Sequence, residues 1–452
     1  MNPFDPFTDP EEMKALFQAH LPAFSKTSLL ITECKIERSR VRNELIVPEK
    51  RIDCFAIRYQ LTVRKKGQTQ ESVQMLYAKV YPEDFADKIF QQMKSTLLTK
   101  LKSDALPDYL SKQKMLVWTF PNDPGLSHLS ALIHPDKVIM HFPYSHLPDG
   151  LNGPEDVKNI NVDVIRYHPG VRCTMRYSLT WEASKTPKTV ILYGKTFLEE
   201  EGLSLFNLTR DLWEISIKKT EFFIIAKPLV YDAPLKMVWQ EGLAGKPLTE
   251  LIQLSHNMDD IKTVAKNLAC LHKSRLSPET PHTTRDRLPV IQKKISKLIA
   301  VFPSLKCQLK ELSLQLENDF ACLPQMKERP AHGAFRIKEI MACQGRLAVF
   351  DLDNIAIGDS VRDLALFLAD LHAEYHDQRL LYTMASTFYQ TYRSEVDWTF
   401  PFERLQWHIR VQFIKRAFWI YKHKGQFPHL EERVNKTLSL ALQNDPFRLQ
   451  DC

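Results

Sequence analysis

Arg329-Pro-Ala-His332-Gly333-Ala334-Phe335-Arg336-Ile337-Lys338-Glu339-Ile340 is the stretch on which the reading of this chain turns. It is followed by Leu347-Ala-Val-Phe350-Asp351-Leu352-Asp353 and then by Gly358-Asp359-Ser-Val-Arg362-Asp363-Leu364-Ala365. Ile337–Cys343 and Arg346–Phe350 read as a strand pair with a turn at Gln344-Gly345. Asp351 therefore closes an apolar strand.

Working outward, long amphipathic helices surround this strand pair. Residues 259–273 place Ile261, Val264, Ala265, Leu268 and Leu271 at helical spacing, and this helix ends in Leu268-Ala269-Cys270-Leu271-His272. Segments 291–320, 361–394, 403–423 and 429–443 follow the same pattern.

The first half reads differently, as strands, and it repeats. Cys54-Phe-Ala-Ile-Arg58-Tyr59-Gln-Leu61-Thr62 is matched by Cys173-Thr-Met-Arg176-Tyr177-Ser-Leu179-Thr180. Met75-Leu76-Tyr77-Ala78-Lys79-Val80 is matched by Ile191-Leu192-Tyr193-Gly194-Lys195-Thr196. Helical segments 84–103 and 199–216 come next, then strands ending in Trp118 and Trp239. The offset stays near roughly 118 residues, which suggests two copies of one strand–strand–helix–strand lobe. The expected organisation is a cap over 1–150, a second lobe over 151–245, and a helical region over 246–452.

Bulk properties narrow the function. The 452 residues exceed one ordinary core. A net charge of +7 is mild for this length, and basic clusters such as Arg64-Lys65-Lys66 are short, so a nucleic-acid interface is not expected. Eight scattered cysteines without a Cys-x-x-Cys pair read as reduced thiols in a cytoplasmic protein. No signal peptide or membrane span is expected, because no basic start precedes an apolar stretch and no run of about 18 apolar residues occurs.

The order and spacing of the quoted motifs resemble the aminoglycoside phosphotransferase and choline kinase type of phosphotransferase. Those proteins carry His-Gly-Asp-x-His-x-x-Asn, an apolar strand ending in Asp, and Gly-Asp-x-x-x-Asp-Leu-Ala. The resemblance covers roughly residues 160–440. It implies an α+β, protein-kinase-like fold of two lobes, an antiparallel-sheet lobe and a helical lobe, here preceded by a degenerate lobe-like cap. Kinases of this superfamily that phosphorylate maltose also carry an N-terminal cap.

The resemblance also implies roles. Asp351 falls on the magnesium aspartate, Asp363 on the structural aspartate that caps a helix and braces the catalytic loop, and His332 on a structural loop histidine. Lys195 falls on the nucleotide-binding lysine, and Tyr167-His168-Pro169-Gly170-Val171-Arg172 on the turn that overhangs the phosphates. Glu199, Glu200, Glu201 and Glu214 compete as partner of Lys195, with Glu201 preferred. Gln240, Glu241 and Leu243 lie on the adenine-binding hinge. ATP and Mg2+ are the implied cofactors.

Three departures matter. Ala334 stands where the family has its catalytic aspartate, and a methyl group neither accepts a proton nor orients a hydroxyl. Glu339 stands where the family has a second metal-binding asparagine, and Arg336 replaces a histidine. Three functions follow as alternatives. The first is a pseudokinase that binds Mg-ATP with little or no transfer and acts on a protein partner. The second is an active kinase for a hydroxyl of a sugar, amino alcohol or aminoglycoside-like compound. The third is a non-enzymatic scaffold subunit.

Overall fold

The structure is a computed structural model describing residues 5–450 apart from 48–49, 83–84, 101–105, 184–185, 256, 277–287 and 424–428. Cys452 and the ends of the expected helix 84–103 lie outside the described residues. The fold is α+β, with antiparallel sheets in the first half and helices in the second. The chain forms two compact units, Met1–Gly202 with Val230–Trp239, and Leu203–Leu229 with Gln240–Cys452.

The first unit opens with α1 (Pro10–His20) and α2 (Pro22–Ser25), followed by β1 (Leu29–Val47), β2 (Lys50–Lys65), β3 (Glu71–Val80), α3 (Phe85–Lys100), β4 (Asp108–Leu110) and β5 (Met115–Thr119). The sheet order is β1-β2-β3-β5-β4. Alternation gives this sheet two apolar faces. Ile57, Tyr59, Leu61 and Val63 of β2 pack with Met13 and Phe17 of α1. Cys54, Tyr77, Leu116 and Trp118 pack on the other side with Ala86 and Ile89 of α3.

Short helices α4 (Leu129–Ile133) and α5 (Pro135–Val138) lead to β6 (Val157–His168), β7 (Arg172–Ala183) and β8 (Thr186–Phe197). Then come α6 (Glu201–Lys218), β9 (Pro228–Asp232) and β10 (Met237–Glu241). This sheet runs β6-β7-β8-β10-β9, the same path as the first. Its buried residues Cys173, Met175, Tyr177 and Leu179 alternate along β7. Phe142, Tyr177 and Trp239 form a ring cluster with centroids 5.1–5.4 Å apart.

Both sheets gain a first strand, β1 and β6, that the sequence pattern did not disclose. In β1 the charged Lys35, Glu37, Arg38, Arg40 and Arg42 interrupt the alternation that marks a half-buried strand.

The second unit contains β11 (Lys246–Pro247), α7 (Leu248–Ser255), α8 (Met258–Lys273), α9 (Leu288–Val301), α10 (Lys306–Cys322), β12 (Arg329–Ala331), β13 (Ile340–Cys343), β14 (Arg346–Val349) and β15 (Ala356–Gly358). It closes with α11 (Val361–Glu374), α12 (Gln378–Glu395), α13 (Phe402–Lys422) and α14 (Leu430–Leu442). One core joins Leu268 of α8, Phe367 of α11, Phe388 of α12 and Trp407 of α13. Leu212 of α6 is buried in this same core, so most of α6 belongs to the helical unit. Arg346 fixes the end of α6 by donating to the carbonyls of Ser216, Lys219 and Phe222 at 2.9–3.2 Å.

Two of the expected helices are broken. Segment 291–320 is interrupted by the single turn Pro303–Leu305, because proline interrupts the α-helical hydrogen bonding. Segment 361–394 divides after Glu374, and Asp377 starts α12 by accepting from the N–H groups of Arg379 and Leu380.

Candidate phosphotransfer site

The loop that follows β12 is built by strand pairing and then fixed by side chains. Arg329, Pro330 and Ala331 pair with Gly358, Ile357 and Ala356, which sets His332 beside the start of α11. Asp363, in the first turn of α11, is fully buried. Its carboxylate accepts the backbone N–H of His332 at 2.6 Å and of Gly333 at 2.9 Å. His272, at the end of α8, approaches the same carboxylate through Nε2 at 3.2 Å. A neutral imidazole that donates there accepts the Tyr392 hydroxyl at Nδ1, 2.6 Å away. Burial pushes the Asp363 carboxyl upward, but the hydrogen bonds it accepts, that of His272 foremost, leave the group below its ordinary range.

His332 is also wholly buried. Its Nε2 faces the Phe350 carbonyl at 3.1 Å, so Nε2 carries the proton. Nδ1 is buried without a partner among the described residues. Burial lowers the affinity of this imidazole for a second proton. Gly333 has φ +74°, and a Cβ there would lie 2.3 Å from the carbonyl oxygen of Asn354. Both the backbone conformation and the close approach require glycine.

Ala334 follows, half-buried, and then Phe335, whose ring packs against Phe223, Phe367 and His332. The far end of the loop is held by Asp370, one helical face along from Asp363, which accepts the Ile337 N–H at 3.2 Å. Burial raises the Asp370 carboxyl. Sequence reading missed Asp370 and Tyr392. The seven-residue spacing from Asp363, two helical turns on one face, was the available signal for Asp370.

At the start of α11, whose N-cap Ser360 makes no side-chain capping bond, the neighbouring carboxylate is Asp359. Asp359 accepts the Val361 N–H at 3.1 Å, pairs with His408 Nε2 at 2.8 Å and contacts Arg404. Burial opposes its ionisation, yet His408 and Arg404 hold it well below the carboxylate range.

Asp351 follows β14 in a left-handed conformation, φ +58°. Asp tolerates this region better than most residues, at a cost of about 1 kcal/mol. Glu339 lies on the neighbouring segment, where its carbonyl accepts the Phe350 N–H at 2.9 Å. Two carboxylate-bearing positions are thus adjacent in the chain's hydrogen-bonding pattern. Among the described residues no group of three or more His, Cys, Asp and Glu is gathered as a metal site.

Lys195 belongs to the first unit. It pairs with Thr174, while Tyr193 and Phe197 pair with Arg176 and Arg172. Alternation therefore sets Arg172, Arg176 and Lys195 on one face of the β7–β8 ladder. Lys195 Nζ lies 5.5 Å from the Phe197 ring, and Asp163 holds Arg176 at 2.8 Å. Glu201 is exposed at the first turn of α6. Glu200 turns to the sheet instead, accepting the Tyr231 hydroxyl at 2.9 Å with Lys236 3.6 Å away.

Gln240 and Glu241 end β10, and the Glu241 N–H donates to the Lys227 carbonyl at 2.9 Å. Leu243 is half-buried in the segment that follows. A Cβ on Gly245 would lie 2.2 Å from the Ala342 carbonyl oxygen, which explains a glycine just before β11 pairs with β13.

This chain is similar to aminoglycoside phosphotransferases and choline kinases. One solved structure of this kind is an amicoumacin kinase in complex with AMP-PNP, Ca2+ and Ami, at 13% identity and TM-score 0.46 over 64% of this chain and 91% of that one. A choline kinase from Cryptosporidium parvum Iowa II has 14% identity and TM-score 0.45 over 70% and 97%. A thermostable aminoglycoside phosphotransferase mutant, in ternary complex with ADP and hygromycin B, has 12% identity and TM-score 0.44 over 63% and 94%. No protein-family model and no curated protein matches the chain. At these identities and TM-scores function has to be argued from the chain's own residues. No helix among the described residues is long and apolar enough to cross a membrane.

Proposed function

We propose that this chain is a phosphotransferase-like pseudokinase that binds Mg-ATP but transfers phosphate weakly or not at all. The observation that carries this reading is Ala334 within a fully braced loop. Asp363 and Asp370 hold the backbone on both sides of it, so the frame persists where the base is missing. Losing a positioned base costs about 10²- to 10⁴-fold in rate.

Phosphoryl transfer requires a cation on the phosphates, a carboxylate on magnesium and a group orienting the acceptor. Lys195, with Arg172 on the same face, would supply the first. Asp351 and Glu339 would supply the second, and Gln240, Glu241 and Leu243 would line the adenine. The donor set suits Mg2+, which binds through one or two carboxylates and completes its shell with phosphate oxygens and water. When bound, the ion would neutralise charge on the phosphates. The third part has no residue. With the base absent, a role through a protein partner in the cytoplasm fits better than turnover of a small hydroxylated substrate.

A thermal-shift titration with Mg-ATP tests this on the full chain. At 100 times its dissociation constant a ligand stabilises by about 2.7 kcal/mol. The shift is expected in the natural chain and is expected to vanish in Lys195→Ala and Asp351→Ala. Phosphorylation of a small hydroxyl compound that depends on Asp351 would overturn the pseudokinase reading. Absence of any Lys195-dependent shift would leave a scaffold without nucleotide.

A further inference from the structure

The turn between β6 and β7 has few donors to offer an anion. Pro169 has no N–H, and the Val171 N–H is used by the His168 carbonyl at 3.0 Å. Gly170, at φ +65°, therefore holds the one backbone donor of residues 169–171 that is not consumed by the turn itself. That donor is taken by Asp123, whose Oδ2 accepts it at 2.6 Å.

Asp123 comes from the loop after β5, in the N-terminal half of the chain. It is 2% exposed. The same Oδ2 accepts the Tyr167 hydroxyl at 2.6 Å, and Oδ1 accepts the Gly125 N–H at 2.8 Å. Contact is close enough that a Cβ on Gly125 would lie 2.9 Å from the Gly170 Cα. Tyr167 is in turn packed against Tyr77 and Phe120, with ring centroids 4.7 and 4.9 Å apart.

We propose that Asp123 is an autoinhibitory latch, a carboxylate occupying the anion seat that the Gly170 N–H would otherwise present to a nucleotide phosphate. The proposal rests on the nucleotide-binding reading of Lys195 given above. Arg172 opens β7 directly after this turn and Lys195 of β8 pairs with Thr174 two residues further on, so a phosphate held by them meets a turn whose donor is already engaged. Anion and carboxylate compete for one N–H, and binding through the turn requires Asp123 to release it.

The test is a Mg-ATP titration of the full chain, with hydrogen exchange read at the Gly170 amide. The variants are Asp123→Asn, Tyr167→Phe, Lys195→Ala and the Asp123→Asn/Lys195→Ala double. Asn keeps the shape but sets an NH2 group against donors on one side. Asp123→Asn is expected to bind Mg-ATP on the order of tenfold more tightly, the scale of one hydrogen bond to a charged group. The gain should disappear in the double variant, and Gly170 exchange should accelerate. If Asp123→Asn does not fold, Tyr167→Phe removes one of the three donors and should give a smaller gain in the same direction.

Unchanged or weaker binding in these variants, with Lys195-dependent binding in the natural chain, overturns the latch and leaves the nucleotide reading intact. Absence of binding in both the natural chain and the released variants overturns both.

Discussion

Replacing Asp363 by alanine tests the brace that holds the catalytic-type loop. The carboxylate receives two backbone N–H groups and one imidazole, at 2.6, 2.9 and 3.2 Å, in a site with no exposure. Asp363→Ala leaves those donors buried without an acceptor, at about 1–3 kcal/mol each. Relief of the buried charge offsets part of this, because burying a carboxylate costs several kcal/mol by itself. The net expectation is a loss of about 3–5 kcal/mol, the range for breaking a buried charged pair from one side. For a unit of this size that lowers Tm by roughly 10 °C. Urea denaturation followed by far-ultraviolet circular dichroism measures it, and exchange at the His332 and Gly333 amides locates it. A loss below about 1 kcal/mol, with those amides still protected, would refute the brace.

Two further outcomes follow from the same loop. Gly333→Ala combines the left-handed φ, worth about 1–2 kcal/mol, with a Cβ 2.3 Å from the Asn354 carbonyl oxygen, so a loss above about 2 kcal/mol in the same urea assay is expected. Stability should also depend on pH in two windows. His332 binds its second proton less readily folded than unfolded, so its contribution is complete above about pH 6.5 and is lost as pH falls below that. Asp363 ionises more readily folded than unfolded, so its contribution is complete above about pH 4 and is lost on further acidification. Urea midpoints between pH 7.5 and 5 should fall with acidity, and more shallowly in His332→Gln. Part of the slope remains in that variant through His372, which burial shifts in the same direction. Equal slopes in the two proteins would remove His332 from the account.

Much of this architecture was legible because it rests on local rules. Gly170 at a Pro-Gly turn and the helical spacing of Ile261, Val264, Leu268 and Leu271 follow from backbone sterics or apolar periodicity. Matching strands carry matching alternation, and both sheets take the same path. What escaped depends on contacts far apart in the chain. Asp370 reads as one more acidic residue on a helix until Ile337 is seen to lie against it. Tyr392 is one aromatic among many until His272 reaches its hydroxyl. Asp123 sits in a Pro-Asn-Asp-Pro loop that resembles a plain linker, and its partner Gly170 is 47 residues away.

The distribution of these bonds explains how position 334 can lose its carboxylate without losing its frame. Polar fixation enters the loop at His332 and Gly333 and again at Ile337, and Phe335 supplies the apolar anchor between them. None of these contacts passes through the side chain at 334. The conformation of the loop and the chemistry at its centre are therefore separable, and stability alone reports only on the first. Lys195 and Asp351 carry the complementary information, because the loop bonds named above run through Asp363 and Asp370 and not through them. A binding response that depends on them would mean that a nucleotide function outlived the base, and its absence would mean that the frame serves contacts of another kind.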